Sequence, residues 1–193
     1  MREKPLTRLM SLVQIIGEEI KPFLDKPFAL FGHSMGALIS FELARKLRRE
    51  HGRQPTHLFV SASSAPHLPS KSPITYNLCD AEFLTQIRRL NGTPDDALEN
   101  PELMQVMLPI LRADFELVQT FRYEQGPPLA VPISTFGGSS DPEVEQERLA
   151  AWQDQTVSAF SLSMFPGDHF YLHTAQDLLI EKVSRTLDQD KTQ

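Results

Sequence analysis

Phe28-Ala29-Leu30-Phe31-Gly32-His33-Ser34-Met35-Gly36-Ala37 sets the fold. The apolar run Phe28 to Phe31 is strand-like and is cut off by Gly32. From Met35 to Glu50 the pattern turns helical, with Leu38, Phe41, Ala44 and Leu47 along one face before Gly52 ends it. Strand, tight turn, helix is the order these spacings predict. Gly32-His33-Ser34-Met35-Gly36 matches G-x-S-x-G, in which the serine sits on a strained strand-to-helix turn with its hydroxyl above the sheet. Glycines are expected on both sides because such a turn packs too tightly for side chains. By composition the bare pattern arises by chance in about 6% of chains this long. The flanking strand and amphipathic helix give it weight.

Upstream, Leu9, Leu12, Val13, Ile16 and Ile20 recur at three- and four-residue spacing, which predicts a helix ending between Pro22 and Pro27. Downstream, Leu58 to Ser61, Val131 to Phe136 and Phe160 to Phe165 are short, mostly apolar runs bounded by Gly, Pro or Ser, as buried parallel strands are. Helical patterns surround Asp141 to Gln153 and Ala175 to Leu187, with Thr174 as a candidate cap for the last. Alternating strands and helices predict an α/β fold with a parallel sheet. Asp80 to Tyr123 carries helical patterns and no strand, and reads as a helical insertion. Pro66, Pro69 and Pro73 on one side and Pro127 and Pro128 on the other read as its stiff hinges, which bounds it at about 70–127.

Composition narrows the function classes. With 193 residues and 40% hydrophobic content, a single domain over residues 1–193 with a real core is expected. A net charge of −6 gives no electrostatic footprint for nucleic acid or an anionic membrane. Cys79 is the single cysteine and has no internal disulfide partner. The start Met1-Arg2-Glu3-Lys4-Pro5 lacks a signal-peptide apolar region, so a reducing, cytoplasmic location is expected. No apolar run approaches the roughly 20 residues of a membrane helix.

A serine hydroxyl is a poor nucleophile until a base takes its proton. An imidazole and an orienting carboxylate are therefore expected downstream, in the chain order serine, acid, histidine for this fold. Of six histidines, His33 lies inside the turn and His51, His57 and His67 precede the third strand, which leaves His169 and His173. His169 follows Phe160 to Phe165 through Pro166-Gly167-Asp168, where a strand end presents a base; an ordinary surface-loop histidine is the plain alternative. His173 stands four residues on, the spacing of a metal pair on a helix, but no third ligand accompanies it and no metal is expected. Asp141, after Gly137-Gly138-Ser139-Ser140 at the third strand's end, is the candidate acid. Asp before Pro142 and Glu143 is also what a helix N-cap looks like. Asp168 is the weaker alternative, since adjacent side chains on an extended loop point apart.

The stretch from Pro27 to Ala37 resembles the elbow of type II thioesterases, which accompany nonribosomal peptide and polyketide synthases. Relatives of that family release medium-chain fatty acids from fatty acid synthase. Asn91-Gly92-Thr93-Pro94, Leu108 to Glu116, Gly137 to Asp141 and Gly167 to Leu172 agree as well, so the likeness runs from Thr7 to Leu187. The resemblance implies an α/β-hydrolase fold with Asp80 to Tyr123 as a helical lid over an acyl channel. It implies Ser34 as nucleophile, Asp141 as acid and His169 as base. It further implies hydrolysis of acyl or aminoacyl thioesters on the phosphopantetheine arm of a carrier protein, no cofactor, and a monomer. Leu103, Met104, Met107 and Leu111 are candidates to line the arm's path, or are simply a packed helix face.

Three departures from the family pattern stand out. Asn91 replaces a usual second Gly, and Asp168 a usual Gly. Family members also carry several dozen residues before the equivalent of Met1, with early strands and a Gly-rich loop that supplies one oxyanion-hole N–H. On that comparison the chain is expected to lack the N-terminal strands, and Phe28 to Phe31 to present an apolar edge. The Met35 N–H is then the one expected oxyanion donor, and loss of a donor costs about 100- to 1,000-fold in kcat. Two rival readings follow: an oxygen-ester hydrolase of the same fold, since G-x-S-x-G does not distinguish the two esters, and an inactive carrier-binding remnant.

Overall fold

The computed structural model describes residues 4–190. The chain divides into two compact units, one of residues 13–69 and 123–190, the other of residues 4–12 and 70–122.

The first unit is built on four parallel strands: β1 (Ala29–His33), β2 (His57–Ser61), β3 (Ile133–Gly138) and β4 (Phe160–Phe165), in spatial order 1-2-3-4. β2 is buried along its whole length because both faces are covered. Leu58 and Val60 join Ala37, Phe41, Ala44, Ile133 and Trp152 on one face, while Phe59 joins Phe136, Phe165, Tyr171 and Leu179 on the other. This is the period-two alternation of a strand, read out as two cores. α2 (Met35–His51) packs on the first face and α8 (Gln176–Asp190) on the second. β1 and β4 are the outer strands, and Phe31 on β1 is 45% exposed.

Several expected boundaries move. α1 spans Leu9–Glu19, followed by a 3-10 turn at Lys21–Phe23. β1 does not stop at Gly32 but runs through it to His33, because both residues keep their register with β2. The helix expected from Asp141 begins at Gln146, as α6 (Gln146–Ala150), and tightens to 3-10 geometry over Ala151–Gln155. Asp141 does cap, but it caps an isolated turn: its Oδ1 accepts from the Glu143 and Val144 N–H groups at 2.8 and 3.3 Å. Thr174 is not a cap. It ends a short helix, α7 (Tyr171–Thr174), and its hydroxyl donates to the Tyr171 carbonyl. Ahead of α7, Asp168 Oδ1 accepts from the Phe170 N–H at 2.9 Å in a local turn, and the N-cap residue Phe170 makes no side-chain cap bond.

The proline segments flanking residues 70–122 are pinned within the sheet unit rather than free. Arg148 donates to the Pro69 carbonyl and the Ser64 hydroxyl. Arg45 donates to the Glu124 carbonyl, and Arg48 to those of Pro127 and Pro128. Tyr123 donates to Gln155, which also bonds His67.

The second unit contains α3 (Asp80–Leu90), α4 (Asp95–Leu98) and α5 (Pro101–Gln119). Phe83, Ile87, Leu98 and Met104 form its core, with Met107 and Leu111 packed against them. Leu103, at the edge of the same face of α5, is 40% exposed, so the four-residue apolar set is only partly packed. Asn100 caps α5 by accepting from the Leu103 N–H. Arg112 lies 4.5 Å over the Phe83 ring and donates to Asp80 and the Tyr76 carbonyl. Among the described residues no helix is long and apolar enough to cross a membrane.

Candidate active site

The turn between β1 and α2 carries Ser34 at φ 52°, ψ −114°, a conformation L-residues rarely hold without support. Support comes from the Ser34 N–H donating to the Ser61 carbonyl at 2.8 Å. It comes also from Gly32, where a Cβ would sit 2.0 Å from the Gly36 carbonyl oxygen. Gly36 differs: a Cβ there would meet nothing within 4 Å, so tight packing explains only the first of the two glycines. Met35 opens α2, and its N–H is among the amides a helix start leaves without an intrahelical partner.

The third and fourth strands deliver the other two groups. A Cβ on Gly138, at the end of β3, would lie 2.1 Å from the Asp168 carbonyl oxygen; its absence lets the loop after β4 close over the strand end. Ser139 and Ser140 N–H groups donate to the Phe165 and Gly167 carbonyls and lock the two loops together. His169 Nε2 then lies 3.0 Å from Ser34 Oγ, and His169 Nδ1 lies 2.9 Å from Asp141 Oδ2. The His169 and Asp141 side chains are 8% and 1% exposed. The carboxylate only accepts, so Nδ1 carries the proton and Nε2 accepts from the serine hydroxyl. Asp141 thus makes both contacts at once, one oxygen to the turn amides and one to His169. Asp168 is excluded as the imidazole's partner by this arrangement, its Oδ1 being turned back on the Phe170 amide.

The remaining histidines lie elsewhere. His57 bonds Ser134 inside the sheet, His67 bonds Gln155, and His51 ends α2. His173 stacks on Phe170, with ring centroids 6.1 Å apart. Among the described residues no group of three or more His, Cys, Asp or Glu is arranged to hold a metal ion.

A serine hydrogen-bonded to a neutral imidazole that is itself held by a carboxylate can attack a carbonyl carbon. The sequence matches the Thioesterase domain family over residues 1–187. The chain belongs to the thioesterase family. Gramicidin S biosynthesis protein GrsT of Aneurinibacillus migulanus is 45% identical over 96% of this chain and 72% of its own length. The medium-chain S-acyl fatty acid synthase thioesterase of Rattus norvegicus is 36% identical over 84% of this chain and 64% of its own. Among solved structures, the type II thioesterase BorB from the borrelidin biosynthetic cluster superposes with a TM-score of 0.86 at 35% identity, covering 95% of this chain and 74% of that one.

In this thioesterase a second polar chain lies beside the first, and its members were not legible as site residues. His33 Nδ1 lies 2.8 Å from Ser61 Oγ, which lies 2.6 Å from the Tyr171 hydroxyl. Burial above all, with His169 and His173 adding repulsion against the pull of Asp141, brings the His33 pKa down to about 4. Burial likewise pushes the Tyr171 hydroxyl up to about 12, against the Ser61 hydrogen bond. Ser61 reads in sequence as an ordinary strand end and Tyr171 as part of the segment that follows His169; only the fold brings them to His33.

Proposed function

We propose that this thioesterase hydrolyses acyl or aminoacyl thioesters carried on the phosphopantetheine arm of a carrier protein, with Ser34 as nucleophile, His169 as general base and Asp141 as the orienting acid. The observation that carries the reading is the unbroken hydrogen-bond chain from Ser34 Oγ through His169 to Asp141. His169 takes the serine proton as Oγ attacks the thioester carbonyl, and the Met35 N–H stabilises the oxyanion from the start of α2. The C–S bond breaks, His169 returns the proton to the leaving thiol, and an acyl-serine remains. His169 then deprotonates a water that attacks the acyl-serine; the free acid leaves and Ser34 regains its proton. Asp141 holds the imidazole and offsets its charge at both stages. Segment 70–127 acts as the lid that admits the pantetheine arm. Editing of stalled synthases and release of finished acyl groups use the same chemistry; the names of the relatives favour a biosynthetic setting.

Incubation with a serine-directed fluorophosphonate followed by mass spectrometry tests the nucleophile. Labelling at Ser34, lost in Ser34→Ala and cut at least about 100-fold in His169→Ala, is expected. A folded protein that stays unlabelled overturns the reading and leaves a carrier-binding protein without catalysis. Turnover of acyl-carrier protein against a simple oxygen ester then separates a thioesterase preference from general esterase activity.

A further inference from the structure

We propose that Tyr171, Ser61 and His33 form a positioning relay that couples the turn carrying Ser34 to the loop carrying His169; the proposal rests on the reading of those two as nucleophile and base. Ser61 is the point of convergence. Its carbonyl accepts from the Ser34 N–H at 2.8 Å, and its hydroxyl meets both His33 Nδ1 at 2.8 Å and Tyr171 at 2.6 Å. His33 is the residue just before Ser34, and Tyr171 stands two residues after His169. The relay therefore spans the same gap as the Ser34–His169 hydrogen bond, from the buried side.

Its proton count has one economical solution. Tyr171 donates to Ser61 Oγ, and Ser61 donates to His33 Nδ1, which leaves the His33 proton on Nε2. His33 Nε2 is buried with no hydrogen-bond partner. Running the protons the other way strands the Tyr171 hydroxyl as well, inside a fully buried residue. The direction from Tyr171 to His33 is thus the one with a single orphan, and it fixes the imidazole in one neutral tautomer. A buried polar atom left without a partner calls for a reason. The reason here is the ring's position: its centroid lies 5.3 Å from that of His169 and 5.6 Å from that of Phe170, so it backs the loop that holds the base. Tyr171 in turn stacks flat on Phe165 at the end of β4, with centroids 5.3 Å apart and planes 3° apart. The packing of that ring does not need the hydroxyl. What the hydroxyl adds is registration of one loop against the other.

The test compares kcat and KM on an acyl-pantetheine thioester, and the rate of Ser34 labelling by fluorophosphonate, in wild type, Tyr171→Phe, Ser61→Ala and the double variant, with melting curves for each. Misplacing reacting groups by about 1 Å costs on the order of 100-fold. Each single variant is expected to lose about 10- to 100-fold in kcat and in labelling rate at unchanged KM, and the double variant to be no worse than the poorer single one. Should Tyr171→Phe fail to fold, Ser61→Ala, which removes one oxygen, gives the same comparison against wild type. Wild-type kcat in the folded variants, or losses that multiply in the double, overturns the relay while the Ser34 reading stands. A wild type that neither turns over nor labels overturns both.

Discussion

The sheet unit and the helical unit of this thioesterase are held together by different means. In the sheet unit, backbone approaches backbone: Gly32 against Gly36, Gly138 against Asp168, Ser34 against Ser61. These contacts tolerate almost no displacement, and the three groups of the candidate site sit on them. In the helical unit, residues 70–122, order comes from side-chain packing, with a core cluster of four buried residues and the aromatic seat of Arg112, and Leu103, Val106 and Ile110 remain exposed along α5. A small side-chain core is compliant. The contrast teaches that geometric precision lies at the strand ends, where the candidate site sits, and compliance in the helices.

The contrast is broken most directly at Gly32. In Gly32→Ala the new methyl would overlap the Gly36 carbonyl, an atom that moves only with the start of α2. A loss of more than about 4 kcal/mol in denaturant unfolding is expected, together with loss of fluorophosphonate labelling. A cooperative, wild-type-stable Gly32→Ala protein that still labels at Ser34 would show that the strand ends are not as constrained as described. Gly36→Ala is the internal control, with open space at that position and an effect under about 1 kcal/mol expected.

The next effect lies in the helical unit. Phe83 is fully buried, packs edge-on to Phe115 and seats Arg112. Phe83→Ala is expected to cost about 3–5 kcal/mol, and that cost should stay local. Hydrogen exchange should rise across α3 and α5 while β2 and β3 keep their protection. Small fluorophosphonates should still label Ser34 within a few-fold of the wild-type rate. Equal loss of protection in the strands would remove the distinction between the units.

The strands and the helix after Ser34 were legible because each is a short, nearly pure period: apolar runs for the sheet, i, i+3 and i+4 spacing for α2. Ser34, Asp141 and His169 could be singled out as candidates because that chemistry constrains both residue type and chain order, and the fold brings the three within hydrogen-bond distance. What escaped detection was local capping and anything set by three-dimensional convergence. Thr174 is a good cap by composition, yet its hydroxyl turns back on the Tyr171 carbonyl at the end of α7. Gly36 looked as necessary as Gly32 because the motif carries both; the contact distances separate them. Pro66, Pro69, Pro73, Pro127 and Pro128 read as stiff hinges, and what the sequence does not show is that Arg148 bonds the Pro69 carbonyl and that Arg45 and Arg48 bond those of Glu124, Pro127 and Pro128 from far away in sequence. Arg45→Ala, which also removes the cation packed against the Phe41 and Tyr123 rings, should raise exchange around residue 124 and cost about 1–2 kcal/mol.

The smallest expected effect concerns protons at the strand ends. His33 is held at a pKa of about 4, against an ordinary value of 6.5, chiefly because burial disfavours its cation. Between those two values the unfolded chain binds a proton at this site that the folded protein refuses, so stability from this group rises with pH across the window. Its contribution is complete above about pH 6.5 and is lost as pH falls toward about 4. His33→Asn removes that proton uptake from both states, so the pH dependence of its unfolding free energy should be shallower than wild type over this window alone. The same substitution has no counterpart in the helical unit, where the one shifted group, Asp114, is raised by burial and contributes with the opposite slope. If His33→Asn leaves the wild-type slope unchanged between about pH 4 and 6.5, the ring is already charged in the folded state. A charged His33 would need an acceptor at Nε2 and would set a cation beside His169, which is incompatible with the buried, single-tautomer ring that fixes the strand ends.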